Sequence, residues 1–191
     1  MRYGKGHKDG TRQHIVEVAA KKFREEGVAA AGIAGLMAEA GLTNGAFYNH
    51  FDSKEHLVQE AMAHALGKRD AELREAGPGA GEAFLRAYLS PAHRDGPGQG
   101  CFTAALAAEI ARHPEPTREA FTRAIERTLG RIAAELPEDL TAEERERKAA
   151  AIYGLMVGTL QLARAVTDRA MSDRILAGGL EAALALAGKA G

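Results

Sequence analysis

The chain has 191 residues and a mass of 20.2 kDa, enough for one or two small domains with hydrophobic cores. Its formal net charge of −1, from 25 basic and 26 acidic residues, gives no overall field that would draw it to nucleic acid. The sequence has no apolar run long enough for a membrane span, we expect no secretion signal from its N-terminal residues, and its single cysteine, Cys101, excludes an internal disulfide. These features predict a cytoplasmic protein.

The charge is unevenly distributed along the chain. Residues 1–24 carry seven Lys or Arg against two acidic residues, a net charge of +5, and the remainder carries 18 against 24, a net charge of −6. A basic end on an acidic body indicates that this end meets an anionic partner. Arg2, Lys5 and Lys8 are candidates for contacts with phosphate or a minor groove, and a solvated, disordered tail is the competing interpretation.

Helices are predicted throughout, because the chain has 40 Ala but only 13 Val and Ile together. The first four are expected at about 11–26, 33–40, 44–50 and 53–76, with Gly27 and Gly41 as C-terminal caps and Thr43 and Ser53 as N-caps. Five more are expected at about 82–89, 102–110, 116–136, 141–166 and 172–187, after a loop at 90–100. Thr141 and Glu144 have the spacing of a capping box.

The second and third helices, joined by a tight turn at residues 40–43, form a predicted helix-turn-helix. Leu36, Leu42 and Phe47 are available to pack inside its corner. The outer face of the third helix would offer hydrogen-bonding groups to a major groove: Thr43, Asn44, Tyr48, Asn49 and His50. Lys54 opens the next helix, where backbone amides favour phosphate. A hairpin turn at Asn44-Gly45 and an ordinary helical corner with a solvated face are the alternatives.

The run AGLTNGAFYNHFDSKEHL, residues 40–57, is similar to the signature of the TetR/AcrR family of transcriptional regulators, and residues 11–66 resemble its DNA-binding domain. The resemblance implies an all-α, nine-helix fold. Residues 1–52 would be a helix-turn-helix DNA-binding domain and residues 53–191 an effector-binding and dimerisation domain, connected by the fourth helix at 53–76.

The resemblance also assigns roles to the exposed residues. It implies that Tyr48 and Lys54 hold phosphates and that Thr43, Asn44 and Asn49 face bases or backbone, while His50 has an equal claim to a structural role. The chain departs from the family pattern at Ala31-Gly32, where Ser or Thr usually caps the second helix, and at Asn44, where Lys or Arg is common. Both changes remove a potential phosphate contact.

In the second half the resemblance implies a homodimer built through the last two helices, and the glycines four residues apart at Gly154 and Gly158 favour a close helix crossing there. The predicted core and dimer face comprises Tyr153, Gly154, Val157, Gly158, Leu160, Ile175, Leu176, Leu180 and Leu184. Glycines that merely relieve packing within the chain are the alternative. The predicted effector pocket, with plain core as the alternative, comprises Phe84, Tyr88, Phe102, Leu106, Phe121 and Ile125.

The predicted function is therefore a transcriptional regulator, a repressor by family expectation, that reads a near-palindromic DNA operator and is released by a small apolar ligand. We expect no cofactor, no metal site and no enzymatic activity, since His93 and His113 have no recognisable catalytic spacing from Cys101. Two alternatives remain: a helical protein-interaction module that has lost DNA binding, and a thiol-based electrophile sensor. The second rests on Cys101, which begins a helix inside a stretch, about 96–113, that resembles electrophile-sensing repressors.

Overall fold

The computed structural model describes residues 5–77 and 79–188, and within them every regular element is a helix. The α-helices are α1 (Lys5–Glu26), α2 (Ile33–Glu39), α3 (Lys54–Ala76), α4 (Gly81–Tyr88), α5 (Pro91–Asp95), α6 (Phe102–Ile110), α7 (Glu115–Ala134), α8 (Ala142–Ala165) and α9 (Arg169–Leu186). Two 3-10 helices lie at Asn44–Asn49, called the recognition helix below, and at Pro97–Gln99. The all-α prediction is confirmed.

Eight of these nine α-helices correspond to predicted helices, and two elements differ. The third predicted helix is the 3-10 recognition helix, and α5 lies inside the segment predicted to be a loop. Ser90 starts α5, because its hydroxyl accepts a hydrogen bond from the backbone N–H of His93 at 3.2 Å and Pro91 occupies the first turn. The density of glycine and proline indicated a loop, whereas the Ser-Pro pair is itself a helix-start signal.

The first helix also begins earlier than predicted. It runs from Lys5 instead of about Thr11, so Lys8 lies on a helix and not in a disordered tail. Arg2 lies outside the described residues. The helix ends as predicted at Gly27, whose φ of +85° is a left-handed conformation that glycine adopts without strain.

A first hydrophobic cluster joins the N-terminal elements. Phe23 of α1, Phe47 of the recognition helix and Phe51 are at most 1% exposed, and they pack with Leu57 and Met62 of α3. The burial of these three phenylalanines holds the recognition helix against α1 and α3.

A second cluster lies between α8 and α9. A Cβ added at Gly179 of α9 would collide with the side chain of Thr159 of α8, so this glycine permits the close approach of the two helices. The predicted capping box starts α8: the Glu144 backbone N–H donates to the Thr141 hydroxyl at 3.2 Å, and the Glu144 carboxylate accepts from the Thr141 N–H at 2.9 Å.

Helix α6 contributes to both clusters. Phe102, Leu106 and Ile110 are buried in the first, while Ala104 is buried in the second, as is Cys101 immediately before the helix. The predicted domain division between residues 52 and 53 stays a prediction. Helices α3 and α6, which lie after that division, both place side chains in the first hydrophobic cluster. Within the described residues, no helix combines the length and apolar character that a membrane crossing requires.

Candidate nucleic-acid interface and ligand cavity

The turn before the recognition helix has the geometry that its glycine predicts. Gly41 has a φ of +70°, its N–H donates to the carbonyl of Ala38 at 3.0 Å, and the N–H of Leu42 donates to the carbonyl of Met37 at 2.8 Å. Inside the corner Leu36 and Phe47 are at most 1% exposed, and Leu42 is half-buried against them. Since residues 44–49 form a helical turn, the hairpin alternative is excluded.

Four of the predicted DNA-binding side chains are exposed on the recognition helix or at its N-cap position. Thr43, Asn44 and Asn49 are exposed, and Tyr48 is 67% exposed with its ring edge-on to Phe47 at 5.2 Å. Thr43 stands at the N-cap position but makes no capping hydrogen bond, contrary to its predicted role as a cap. The Thr43 hydroxyl therefore does not cap the N-terminus of the recognition helix.

His50, the fifth predicted DNA-binding residue of this segment, is not exposed like the other four. It is half-buried, with its ring beside Phe51, and its Nδ1 has no hydrogen-bond partner within the described residues. Burial, reinforced by the positive charges of Lys8 and Arg12, lowers the pKa of His50, so the neutral ring is favoured. This placement supports its structural role.

Lys54 connects two segments of the chain. Its Nζ donates a hydrogen bond to the backbone carbonyl of Val28, in the loop between α1 and α2. Ser53 before it caps α3 as predicted, accepting from the N–H of His56 at 3.1 Å. An ammonium has three donors, so Lys54 retains hydrogen-bonding capacity while it holds the loop.

Glu109 of α6 binds the same loop, a contact that the sequence did not reveal. Its carboxylate accepts from the N–H of Val28 at 2.9 Å and from the N–H of Ala29 at 2.6 Å. Val28 is thus held by Glu109 through its N–H and by Lys54 through its carbonyl. The loop that leads into the helix-turn-helix is therefore attached directly to α6.

A cavity of about 690 Å³ lies beside α1, with α3, α4, α6, α7 and α8 supplying the other walls. Three of the predicted pocket residues line it: Phe84, Tyr88 and Phe102. The other three do not. Leu106 is buried in the first hydrophobic cluster, Phe121 packs against that cluster, and Ile125 is half-buried on α7. The cavity includes α1 side chains because α1 lies against α3 and α6, a tertiary arrangement that helix periodicity does not encode.

Cys101 lies at the wall of this cavity and is 9% exposed. Its Sγ is 3.9 Å from the hydroxyl of Tyr153, which donates to the hydroxyl of Thr103 at 2.9 Å. His93 reaches the backbone of Cys101 and not its thiol: Nε2 accepts from the Cys101 N–H at 2.9 Å, and Nδ1 donates to the Tyr88 carbonyl at 2.6 Å. His93 therefore holds the chain next to the thiol.

Those two hydrogen bonds require a neutral His93 ring. Burial lowers the pKa of His93 to about 4, and the nearby charges of Arg69 and Arg164 act in the same direction against the hydrogen bond to Tyr88. His113 lies elsewhere, with Nδ1 3.0 Å from the carboxylate of Glu55. In the described part of the chain, no group of three or more His, Cys, Asp or Glu is arranged to hold a metal ion.

The predicted dimer residues divide into two sets. Tyr153, Leu160, Leu176 and Leu184 are at most 8% exposed and belong to the core of their own chain. Gly154 is exposed, a Cβ at Gly154 or Gly158 would meet nothing within 4 Å, and Val157, Ile175 and Leu180 are partly buried. Gly154 and Gly158 are therefore not needed for packing within the described part of the chain, so the alternative that they merely relieve such packing is excluded.

A glycine-cornered helix pair that exposes polar side chains, carried on a helical body with a cavity, defines a helix-turn-helix regulatory protein. Residues 15–61 match the family model described as bacterial regulatory proteins, tetR family, and residues 82–178 match the tetracyclin repressor-like C-terminal domain. The chain belongs to the TetR family, as its sequence resemblance implied.

A curated relative agrees with this assignment, and solved structures share the fold. The transcriptional repressor KstR2 of Rhodococcus jostii is 35% identical over 68 residues, 36% of this chain and 33% of that protein, so the chain matches about a third of its length. A TetR-family regulator from Cytophaga hutchinsonii superposes with a TM-score of 0.75 at 22% identity, over 97% of this chain and 98% of that one. Reduced NemR of Escherichia coli superposes with a TM-score of 0.73 at 22% identity, over 91% and 95% of the chains.

Proposed function

We propose that the protein is a homodimeric transcriptional repressor that binds a near-palindromic DNA operator and is released from it by a small-molecule effector. The observation that carries the proposal is the recognition helix, whose polar side chains are exposed while Phe47 fixes it to the body. A short helix presented in this way fits the major groove. A DNA-binding role would place the protein in the cytoplasm.

Each exposed side chain has a role in this proposal. Thr43, Asn44 and Asn49 read base edges or bind the backbone, and the Tyr48 hydroxyl binds a phosphate. Lys54 supplies a positive charge to the phosphate backbone of the DNA while its ammonium donates to the carbonyl of Val28. His50 supports the C-terminal end of the recognition helix from inside.

The exposed side of α8 and α9 supports the homodimer. Gly154 and Gly158 leave the backbone of α8 open, and Leu162 and Met171 are 60% and 45% exposed. A large apolar side chain on the surface near small residues is suited to a helix-packing interface. A two-fold dimer would place two recognition helices about 34 Å apart, one turn of duplex.

The position of the cavity supports release by an effector. The walls of the cavity include α1, which belongs to the first hydrophobic cluster, and α4 and α8, which belong to the second hydrophobic cluster. An effector that binds one arrangement of these helices better shifts the population toward it, by no more than its difference in affinity for the two.

The test is DNA binding by fluorescence anisotropy, with the duplex upstream of the protein's own gene and a scrambled duplex, at two salt concentrations. Asn49→Ala should weaken specific binding about tenfold or more, the cost of one lost base contact. Thr122→Ala, on the exposed face of α7, is the matched control and should bind as the parent does. Equal affinity for both duplexes would contradict the proposal and favour the protein-interaction module.

Cys101 supports thiol-based sensing as a second candidate, because the thiol lies at the cavity wall near the Tyr153 hydroxyl. If it operates, a maleimide reagent should alkylate the native protein at Cys101 and release the operator, and Cys101→Ser should retain the operator. A thiol that stays inert in the native protein would exclude this candidate.

A further inference from the structure

The cavity has an apolar side and a polar end. Val18, Leu66, Phe84 and Phe102 supply carbon surface to its walls. Tyr88, Tyr153 and Arg24 of α1 are each within electrostatic reach of Cys101 and of Arg69 of α3, and these five residues form the polar end. A ligand that fills this space must therefore satisfy both kinds of surface.

The hydroxyl of Tyr88 is the first indication of what the polar end binds. Tyr88 is 2% exposed and lines the cavity, yet its hydroxyl has no hydrogen-bond partner within the described residues. Burial, with the neighbouring Cys101 thiol, raises the pKa of Tyr88, so the group stays a neutral donor. A thiol is a weak acceptor, and a buried donor without a good acceptor is costly. The cavity thus holds an O–H that an acceptor from a ligand would satisfy.

The charges around the cavity are the second indication. Its walls carry five cationic side chains, Lys21, Arg24, Lys68, Arg69 and Arg131, against three acidic ones, Glu17, Asp70 and Glu72. Arg131 is paired with Asp70 at 2.5 Å, and Arg69 contacts Glu72 at 3.3 Å. Arg24 forms no ion pair with a carboxylate within the described residues, and its guanidinium donates instead to the carbonyl of Gly98.

Arg69 also acts on Arg24. Burial has the largest influence on the pKa of Arg24 and lowers it, Cys101 and Glu25 act in the opposite direction, and the positive charge of Arg69 adds a smaller lowering. In a partly desolvated cavity such a pair is stabilised by a negative charge placed between them. A neutral apolar ligand would supply neither a negative charge for Arg24 and Arg69 nor an acceptor for the Tyr88 hydroxyl.

We propose that the cavity binds an amphipathic organic anion, with its hydrophobic body against Phe84 and Phe102 and its negative head at Tyr88, Arg69 and Arg24. The inference rests on the proposed function, since it names the chemical class of the effector. It replaces the apolar ligand that the sequence led us to expect. The volume of about 690 Å³ suits a ligand of this kind.

The position of Arg24 gives the anion a route to the DNA-binding end. Arg24 lies on α1, and its bond to Gly98 joins α1 to the segment that precedes α6. An anionic head that takes Arg24 competes with the Gly98 carbonyl and so loosens this joint. We therefore expect the anion to lower operator affinity, whereas a neutral analogue does not.

The experiment compares three probes of equal chain length by isothermal titration calorimetry on the full chain: decanoate, decyl phosphate and neutral decanamide. At least one of the two anions should bind about tenfold or more tightly than decanamide, the value of one charge-assisted hydrogen bond. The two anions together distinguish a carboxylate site from a phosphate site. Decanamide affinity equal to or higher than that of both anions, or no binding of either anion, would overturn the inference.

Variants locate the binding site. Arg69→Gln should remove most of the preference for the anion while leaving decanamide binding in place, and Tyr88→Phe should weaken both classes of probe. Arg86→Gln, an exposed arginine on α4 paired with Glu82, is the matched control and should change neither. Unchanged anion affinity in folded Arg69→Gln and Tyr88→Phe proteins, checked by circular dichroism, would place the anion elsewhere and overturn the inference.

Operator binding separates this inference from the function on which it rests. Specific operator binding combined with no preference for anions overturns the inference alone. Loss of specific operator binding in the ligand-free protein overturns the proposed function, whatever the calorimetry shows. Anion binding that lowers operator affinity in the parent but not in Arg24→Gln supports both.

Discussion

The two ends of the molecule use polar side chains in opposite ways. At the recognition helix, Thr43, Asn44 and Asn49 are exposed and make no side-chain hydrogen bond within the described residues, so they are free for an external partner. At the cavity Tyr88, Cys101 and Tyr153 are buried, and Tyr88 stands out because its hydroxyl has no hydrogen-bond partner in the described part of the chain. A surface that reads DNA is therefore preformed, whereas a cavity that responds to a ligand retains an unsatisfied group.

The strongest test of this contrast removes the side chain that fixes the exposed end. Phe47 is 0% exposed, so Phe47→Ala should destabilise the protein by about 3–5 kcal/mol. Since α6 belongs to both hydrophobic clusters, we expect one unfolding transition in urea at a lower midpoint. Phe121→Ala, at a partly buried position, should cost less, and two separate transitions would show that the two ends unfold independently.

The ease of predicting the two ends differs for a physical reason. The helix-turn-helix is encoded within 18 consecutive residues, 40–57, in which Gly41, Phe47 and Ser53 each act on near neighbours. The cavity is assembled from six helices, so a periodic stripe identified Phe84, Tyr88 and Phe102 but could not exclude Phe121 and Ile125. Neither Arg24 nor Glu109 stood out, because their partners lie 74 and 80 or more residues away.

Glu109 joins the loop after α1 to α6, and its replacement should loosen that contact. Glu109→Gln leaves one oxygen where two N–H groups, of Val28 and Ala29, need acceptors, so we expect a loss of about 1–3 kcal/mol in urea unfolding. Hydrogen exchange at both amides should accelerate. Glu119→Gln, an exposed residue on α7, is the control and should change stability by less than about 0.5 kcal/mol.

The neutral ring of His93 makes the cavity end sensitive to acid. Its pKa is about 4 in the folded protein and near 6.5 in an unfolded chain, so the unfolded state binds more protons between these values. Its contribution to stability is complete above pH 6.5 and is lost as the pH falls toward 4. Thermal unfolding of the parent should show this loss, and His93→Gln should show a shallower one. Any slope left in the variant includes that of His50, whose pKa is also lowered. Parallel pH profiles of the two proteins would contradict the assignment.

The glycines of α8 test whether the exposed side of the C-terminal half is covered by a second copy. A Cβ at Gly154 or Gly158 meets nothing within the chain, so each Gly→Ala change should stabilise an isolated protomer by about 1 kcal/mol through helix propensity. If α8 crosses its copy closely, the added methyl groups should instead weaken dimerisation, which sedimentation measures directly. Gly130→Ala on α7 is the matched control, expected to stabilise without any change in dimerisation. A Gly154→Ala, Gly158→Ala protein that is more stable and equally dimeric would move the interface to another face.

The smallest expected effect concerns the start of α2. Gly32 occupies the N-cap position with an extended backbone and no capping side chain, and a Cβ there has open space. Gly32→Ser should add a few tenths of a kcal/mol to stability, while Gly32→Ala should lower it because alanine is a poor N-cap. If the new hydroxyl also reaches a phosphate, operator affinity should rise without steepening its salt dependence, since no charge is added. A serine that stabilises the protein but leaves affinity unchanged would place the N-terminus of α2 away from the DNA backbone, and the exposed polar surface would then be confined to the recognition helix.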